Sequence, residues 1–204
     1  MEIICISDTH NNHQKLLVPN GDVLVHAGDV TERGTEREVR DFLKWFSDQP
    51  HRHKIFIAGN HDFFLEKKSS SQIAKILPEN VHYLSETQLE LSGVLFWGSP
   101  ITPGTKNWAF SERRFYRWKN IPPNTDILIT HTPPYGILDV SNTKKALGSK
   151  ALLKRILSLK PKYHIFGHMH ENYGKVKRRE TVFVNASTFN QNEKLVNPPI
   201  KIIV

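Results

Sequence analysis

Short apolar runs alternate with stretches of helical period along this chain. Residues 2–7 (EIICIS), 22–28 (DVLVHAG) and 53–59 (HKIFIAG) each carry a nearly unbroken apolar run, as strands buried on both faces do. Between the last two lies 34–49 (GTEREVRDFLKWFSDQ), where Val39, Phe42, Leu43 and Phe46 recur at helical spacing and Thr35 with Glu38 writes a capping box. Strand, helix, strand implies parallel pairing through a right-handed crossover. Residues 69–77 predict a short helix, 81–100 three consecutive strands, and 126–131 another buried strand. An amphipathic helix over 148–161 stops at Pro161. A strand over 163–168, a hairpin over 174–187 and a strand over 199–204 complete the pattern. β–α units mixed with a run of strands imply an α/β fold with two sheets, not a plain doubly wound sheet.

The 204 residues suit one domain spanning 1–204. No apolar run approaches the length of a membrane span, and the start, MEIICISDTH, carries no secretory pattern. The single cysteine, Cys5, lies in an apolar run and reads as a buried small side chain. One cysteine excludes a disulfide framework, so a cytoplasmic protein is expected. A formal charge of +8 suggests anionic partners. Phosphate esters fit that charge, with nucleic acid only as a substrate. The basic cluster KVKRRE (175–180) reads as a hairpin edge protected by lysine.

The chemistry lies just after the strands. Asp8 and His10 follow the first, Asp29 the second, and Asn60, His61 and Asp62 the third. His131 follows the strand at 126–130, and His168 and His170 the strand at 163–166. In open α/β sheets, ligands bind beyond the carboxyl ends of the strands, so these side chains should converge. Carboxylate, amide oxygen and imidazole together suit manganese, iron, zinc, nickel or cobalt. The ligands are too many for one ion, and two ions sharing a carboxylate fit better. Gly28, Gly59 and Gly167 each precede a candidate ligand, where a bare backbone can come close to the cluster.

DTH (8–10), GDV (28–30), GNHD (59–62), TH (130–131) and GHMH (167–170) resemble, in order, the five motifs of the calcineurin-like metallophosphoesterase superfamily. The longer segments GDVLVHAGDVTERG and GHMHENYGKV are similar to its small phosphodiesterase-like branch. The resemblance implies an α/β/β/α sandwich of two mixed sheets flanked by helices. It implies that Asp8, His10, Asp29 and His170 hold one divalent ion, with manganese the first expectation. Asp29, Asn60, His131 and His168 would hold the other, with Asp29 bridging. His61 would assist the leaving group, and Asp62 would orient His61 from behind. A hydroxide held between the ions would then attack phosphorus in a phosphate ester, with a phosphodiester favoured.

Taken singly, Asp8, Asp29 and Asn60 read equally well as turn formers. Arg33, in GDVTERG, is either a fork for substrate phosphate or a solvated arginine at a helix start. His26 is expected in the core, His13 outside the ligand set, and His51, His53, His82 and His164 at the surface or flanking strands. Asn11, Asn12, Tyr135 and Tyr173 are further candidates for the cleft wall. Trp97, Trp108, Phe110, Phe115 and Trp118 are candidates to stack a nucleobase, with core packing as the commoner use. Alternatives to a phosphodiesterase are a phosphomonoesterase, a nuclease or a non-catalytic protein-interaction scaffold on the same fold.

Overall fold

A computed structural model describes residues 1–104, 106–111 and 115–204, with side chains for all of these except 115–117. Strands β1 (Glu2–Ile6), β2 (Val23–Ala27), β3 (His53–Ile57) and β4 (Val81–Tyr83) pair parallel in chain order. A second sheet holds β5 (Thr87–Leu91), β6 (Val94–Ser99), β7 (Ile127–Thr130), β8 (Tyr163–Phe166), β9 (Gly174–Arg178) and β10 (Thr181–Asn185). Its order is β5-β6-β7-β8-β10-β9, parallel in the middle and antiparallel at both edges. The last strand, β11 (Ile200–Ile203), returns to the first sheet antiparallel to β1.

Side-chain alternation builds three apolar layers from these strands. Ile3 and Cys5 of β1, Val25 of β2 and Ile55 of β3 meet Phe96, Ile129, Ile165 and Val184 of the other sheet in the central core. The opposite face of the first sheet, through Ile4, Leu24 and Phe56, packs on Val39, Phe42 and Phe46 of α1 (Glu36–Asp48). Two short helices, α2 (Phe63–Glu66) and α3 (Ser70–Ala74), link β3 to β4. The outer face of the second sheet, through Trp97, Leu128, Phe166 and Phe183, packs on Leu152 and Ile156 of α4 (Lys150–Leu159). The fold is therefore the expected α/β/β/α sandwich. No helix among the described residues is long and apolar enough to cross a membrane.

Local signals act where expected. Thr35 Oγ1 accepts from Glu38 N–H (3.3 Å) and Glu38 Oε2 accepts from Thr35 N–H (2.9 Å), so the capping box starts α1. Lys160 adopts a left-handed conformation (φ 56°) and ends α4 before Pro161. Lys175 and Lys177 are exposed on β9, which is a sheet edge.

Two histidines depart from expectation. His51 and His164 are buried, not superficial. His164 lies on β8, whose sheet is covered on both faces, so burial there does not depend on polarity. Thr130 Oγ1 donates to Thr132 O (2.7 Å) and so accepts from His164 Nε2–H (2.8 Å). His164 Nδ1 has no partner, and burial pushes the ring down to about 3. His26 is buried as expected, its Nε2 2.9 Å from Thr9 Oγ1. Trp97 and Trp118 are core residues and Phe110 packs at the edge of the α1 layer, whereas the Phe115 side chain lies outside the described residues.

A neutral buried His164 makes folding depend on pH. Below about 6.5 the unfolded chain takes a proton that the fold refuses, so stability falls as pH drops toward 3. In chelator-treated protein, urea midpoints from pH 7.5 to 5 should fall less steeply for His164→Gln than for wild type, by about 2 kcal/mol across that window. Parallel curves would show that His164 carries no such linkage.

Candidate metal centre

The parallel strands β1, β2 and β3 in one sheet and β7 and β8 in the other deliver their C-terminal loops to one end of the sandwich. The loops are tied together there. Asp8 N–H donates to Gly28 O (2.9 Å), His10 N–H to Asp29 O (3.1 Å), and Gly167 N–H to His131 O (3.2 Å). The Asp8 carboxylate accepts from His168 N–H at 3.1 Å, and Asp29 Oδ1 accepts from His61 N–H at 2.8 Å. Each aspartate thus hooks a neighbouring loop, Asp8 with both carboxylate oxygens and Asp29 with Oδ1.

This convergence strains the backbone. Asp8 (φ 53°), His10 (φ 41°), Asp29 (φ 56°) and His168 (φ 69°) all sit in the left-handed region, a concentration typical of functional sites. Two glycines are needed for space. A Cβ on Gly59 would overlap Asp29 Oδ1, and one on Gly167 would overlap Asp8 Oδ2 and Ser7 Oγ.

The side chains meet in two groups. Ligand atoms of Asp8, His10 and His170 lie within 4.8 Å of one another, as do those of Asp29, His131 and His168. His10 Nε2 is 3.4 Å from His170 Nε2, which is 3.5 Å from Asp8 Oδ1. His131 Nε2 is 3.2 Å from Asp29 Oδ2 and 3.0 Å from Asn60 Oδ1. All seven expected ligands are therefore brought together. His131 Nδ1 lies 2.9 Å from Ala27 O and must donate there. Its Nε2 then turns a lone pair toward two oxygen acceptors. Such a knot of acceptors requires a proton or a cation at its centre, and oxygen and imidazole donors suit a first-row divalent ion.

The electrostatics agree. Burial raises the Asp8 and Asp29 carboxyls, but His170 at Asp8 and His131 at Asp29 outweigh it and hold both well below the usual range. Burial lowers His131, but Asp29 outweighs it and carries the ring up to about 9. His170 is likewise raised by Asp8 against the effect of burial. Burial pushes His168 down to about 4, leaving a neutral ring suited to ligation.

Around this knot lies a cavity of about 250 Å³ lined by His10, Glu32, His61, His170, Phe189 and Glu193. His61 Nδ1 is 2.9 Å from Glu32 O, and the Trp108 ring packs 4.4 Å from the His61 ring. Asp62 does not reach the His61 ring as expected. It begins α2, and its buried carboxylate turns back under the loops to accept from Gly59 N–H (2.7 Å), Val30 N–H (3.3 Å), Thr31 N–H (2.9 Å) and Thr31 Oγ1–H (2.6 Å). The Glu32 carbonyl orients His61 instead. Burial and the charge of Asp29 push Asp62 up to about 6.

Arg33 is exposed and does not line this cavity. His13 pairs with Asp41 at 3.2 Å, away from both groups. Asn11 is exposed, Asn12 donates to His10 O (2.8 Å), Tyr173 donates to Pro198 O (2.8 Å), and Tyr135 lies under Lys150. None of the four lines the cavity. Glu193 and Phe189 carry no motif or period that would have marked them in the sequence.

The family model for calcineurin-like phosphoesterases matches residues 1–172. The chain is 36% identical over 226 residues to human metallophosphoesterase domain-containing protein 1, covering 98% of this chain and 69% of that protein. It is 35% identical over 216 residues to the Caenorhabditis elegans UPF0046 protein K07C11.7, covering 98% and 74%. The fold is similar to the solved phosphopantetheinyl hydrolase of Mycobacterium tuberculosis, with TM-score 0.62 and 14% identity over 94% of this chain and 90% of that one. The chain thus belongs to the calcineurin-like phosphoesterase family and is a metal-dependent phosphoric ester hydrolase.

Proposed function

We propose that the enzyme is a dinuclear phosphodiesterase. Asp8, His10, Asp29 and His170 hold one cation, and Asp29, Asn60, His131 and His168 hold the other. The observation that carries this reading is the reach of Asp29 Oδ2, 3.2 Å from His131 Nε2 in one group and 3.8 Å from His10 Nε2 in the other. When bound, two such ions neutralise phosphate oxygens and make water a nucleophile near neutral pH. Manganese is the first expectation, and iron, zinc, nickel or cobalt also suit the ligands.

The chain supplies the rest. The carbonyl of Glu32 keeps a proton on His61 Nδ1, so Nε2 is the atom that exchanges a proton with the departing oxygen. Trp108 packs on the ring and limits its rotation. Asp62 has no part in proton transfer. It pins the 28–31 and 59–62 loops together, and with them the spacing of Asp29 and Asn60. Diester preference is supported by Glu32 and Glu193 in the cavity wall, because a monoester carries up to one more negative charge near neutral pH. Nucleic acid enters this reading only as a diester substrate. Arg33, exposed and outside the cavity lining, has no assigned role in this reading. The buried lone thiol of Cys5 fits a cytoplasmic enzyme. A non-catalytic scaffold would not require every ligand and His61 to converge.

With Mn2+, the enzyme should turn over bis-p-nitrophenyl phosphate faster than p-nitrophenyl phosphate; the reverse order would contradict diester preference. Asp29→Ala should reduce turnover to background and lower metal content measured by mass spectrometry. His61→Ala should keep its metal yet lose about 10²–10⁴-fold in kcat; an emptied site would refute the role given to His61. Gly167→Ala, by crowding Asp8, should weaken Mn2+ binding about 10–100-fold in calorimetry, and an unchanged affinity would remove Gly167 from the account.

A further inference from the structure

We infer that one arm of the diester is a cationic amino alcohol of the choline or ethanolamine kind, received by Glu32 and Glu193. The inference rests on the diesterase reading and narrows it. In a chain with formal charge +8, the only charged side chains besides histidines that line the cavity among the described residues are these two glutamates. Among the described residues neither carboxylate has a lysine or arginine partner, and neither Arg33 nor Lys194, their chain neighbours, lines the cavity. His10, 4% exposed, turns a buried Nδ1 with no hydrogen-bond partner toward Glu32, its Oε2 3.5 Å away. His10 is thus the one basic side chain at this wall within ion-pair distance of a glutamate among the described residues, and no lysine or arginine neutralises either carboxylate.

An acidic wall beside an anion site disfavours a second anion and a bare phosphate. It complements a ligand that is anionic at phosphorus and cationic a short link away. Two carbons separate those charges in a phosphorylated amino alcohol. The Phe189 ring, 5.2 Å from His10 and 6.0 Å from His170 by ring centroids, gives the wall an aromatic surface of the kind that attracts an ammonium group. His10, Glu32 and His61 also lie within 4.8 Å of one another, which invites a further metal ion instead. In that case His10 would have to serve two cations and lose both ring protons, whereas an ammonium ion asks no deprotonation of it.

The test compares p-nitrophenylphosphorylcholine with its uncharged carbon isostere, p-nitrophenyl 3,3-dimethylbutyl phosphate, with bis-p-nitrophenyl phosphate as reference. In each, the oxygen of water joins phosphorus, nitrophenolate leaves with the bonding pair, a proton goes to solvent, and the other arm stays on phosphate as a monoester. The choline ester should show about ten-fold higher kcat/KM than the isostere. That ratio should shrink with added salt and fall toward one in Glu193→Gln and in Glu32→Gln. Independently of turnover, choline chloride added to chelator-treated protein should shift the Trp108 indole signal in NMR, and 3,3-dimethylbutanol should not. Equal kcat/KM for the two esters, with the reference diester turned over, would overturn this inference and leave the diesterase reading standing. Failure of metal-loaded protein to hydrolyse any of the three would overturn both.

Discussion

Asp8, Asp29, Asn60, His131 and His168 turn oxygen and nitrogen lone pairs into a space largely closed to solvent. His131 has committed its Nδ1 proton to Ala27, so its Nε2 faces Asp29 and Asn60 with nothing to give them as a neutral ring. Burying groups of this kind without compensation is costly. The arrangement is coherent only with positive charge at its centre. Protonated histidine can supply part of it, as the raised His131 indicates. Divalent cations supply it fully, and the family to which the chain belongs depends on them.

The scaffold around the knot is organised to tolerate this. Five parallel strands bring their carboxyl ends together, so each candidate ligand sits one to four residues beyond a rigid element. Left-handed backbone at Asp8, His10, Asp29 and His168 stores strain that the surrounding hydrogen bonds hold in place. Thr188 Oγ1 donates to Ser7 O (2.8 Å) and Asp62 ties Gly59 to Val30 and Thr31, so the loops brace one another across both sheets. Phe189 and Glu193, one wall of the cavity beside the knot, follow that Thr188 anchor in the chain.

Much of this was legible in the sequence. Buried strands announce themselves as apolar runs, and α1 announces itself through Val39, Phe42, Leu43 and Phe46 and its capping box. The clustering of the seven candidate ligands was readable because parallel strands place chemistry at their carboxyl ends, which turns scattered residues into one group. Less legible was anything that depends on packing across elements. His164 is buried because both faces of its sheet are covered, which its own segment does not reveal. Asp62 adjoins His61 in the chain, yet α2 begins there and turns its carboxylate beneath the loops. Glu193 lies in an irregular segment after β10, without period or motif, and only the fold returns it to the site.

The paired arrangement is tested most directly by titrating chelator-treated protein with Mn2+ and recording electron paramagnetic resonance. The account predicts two ions per chain and a spin-coupled spectrum, as for ions about 3.5–4 Å apart sharing a carboxylate. A single uncoupled ion at saturation, or none, would contradict it.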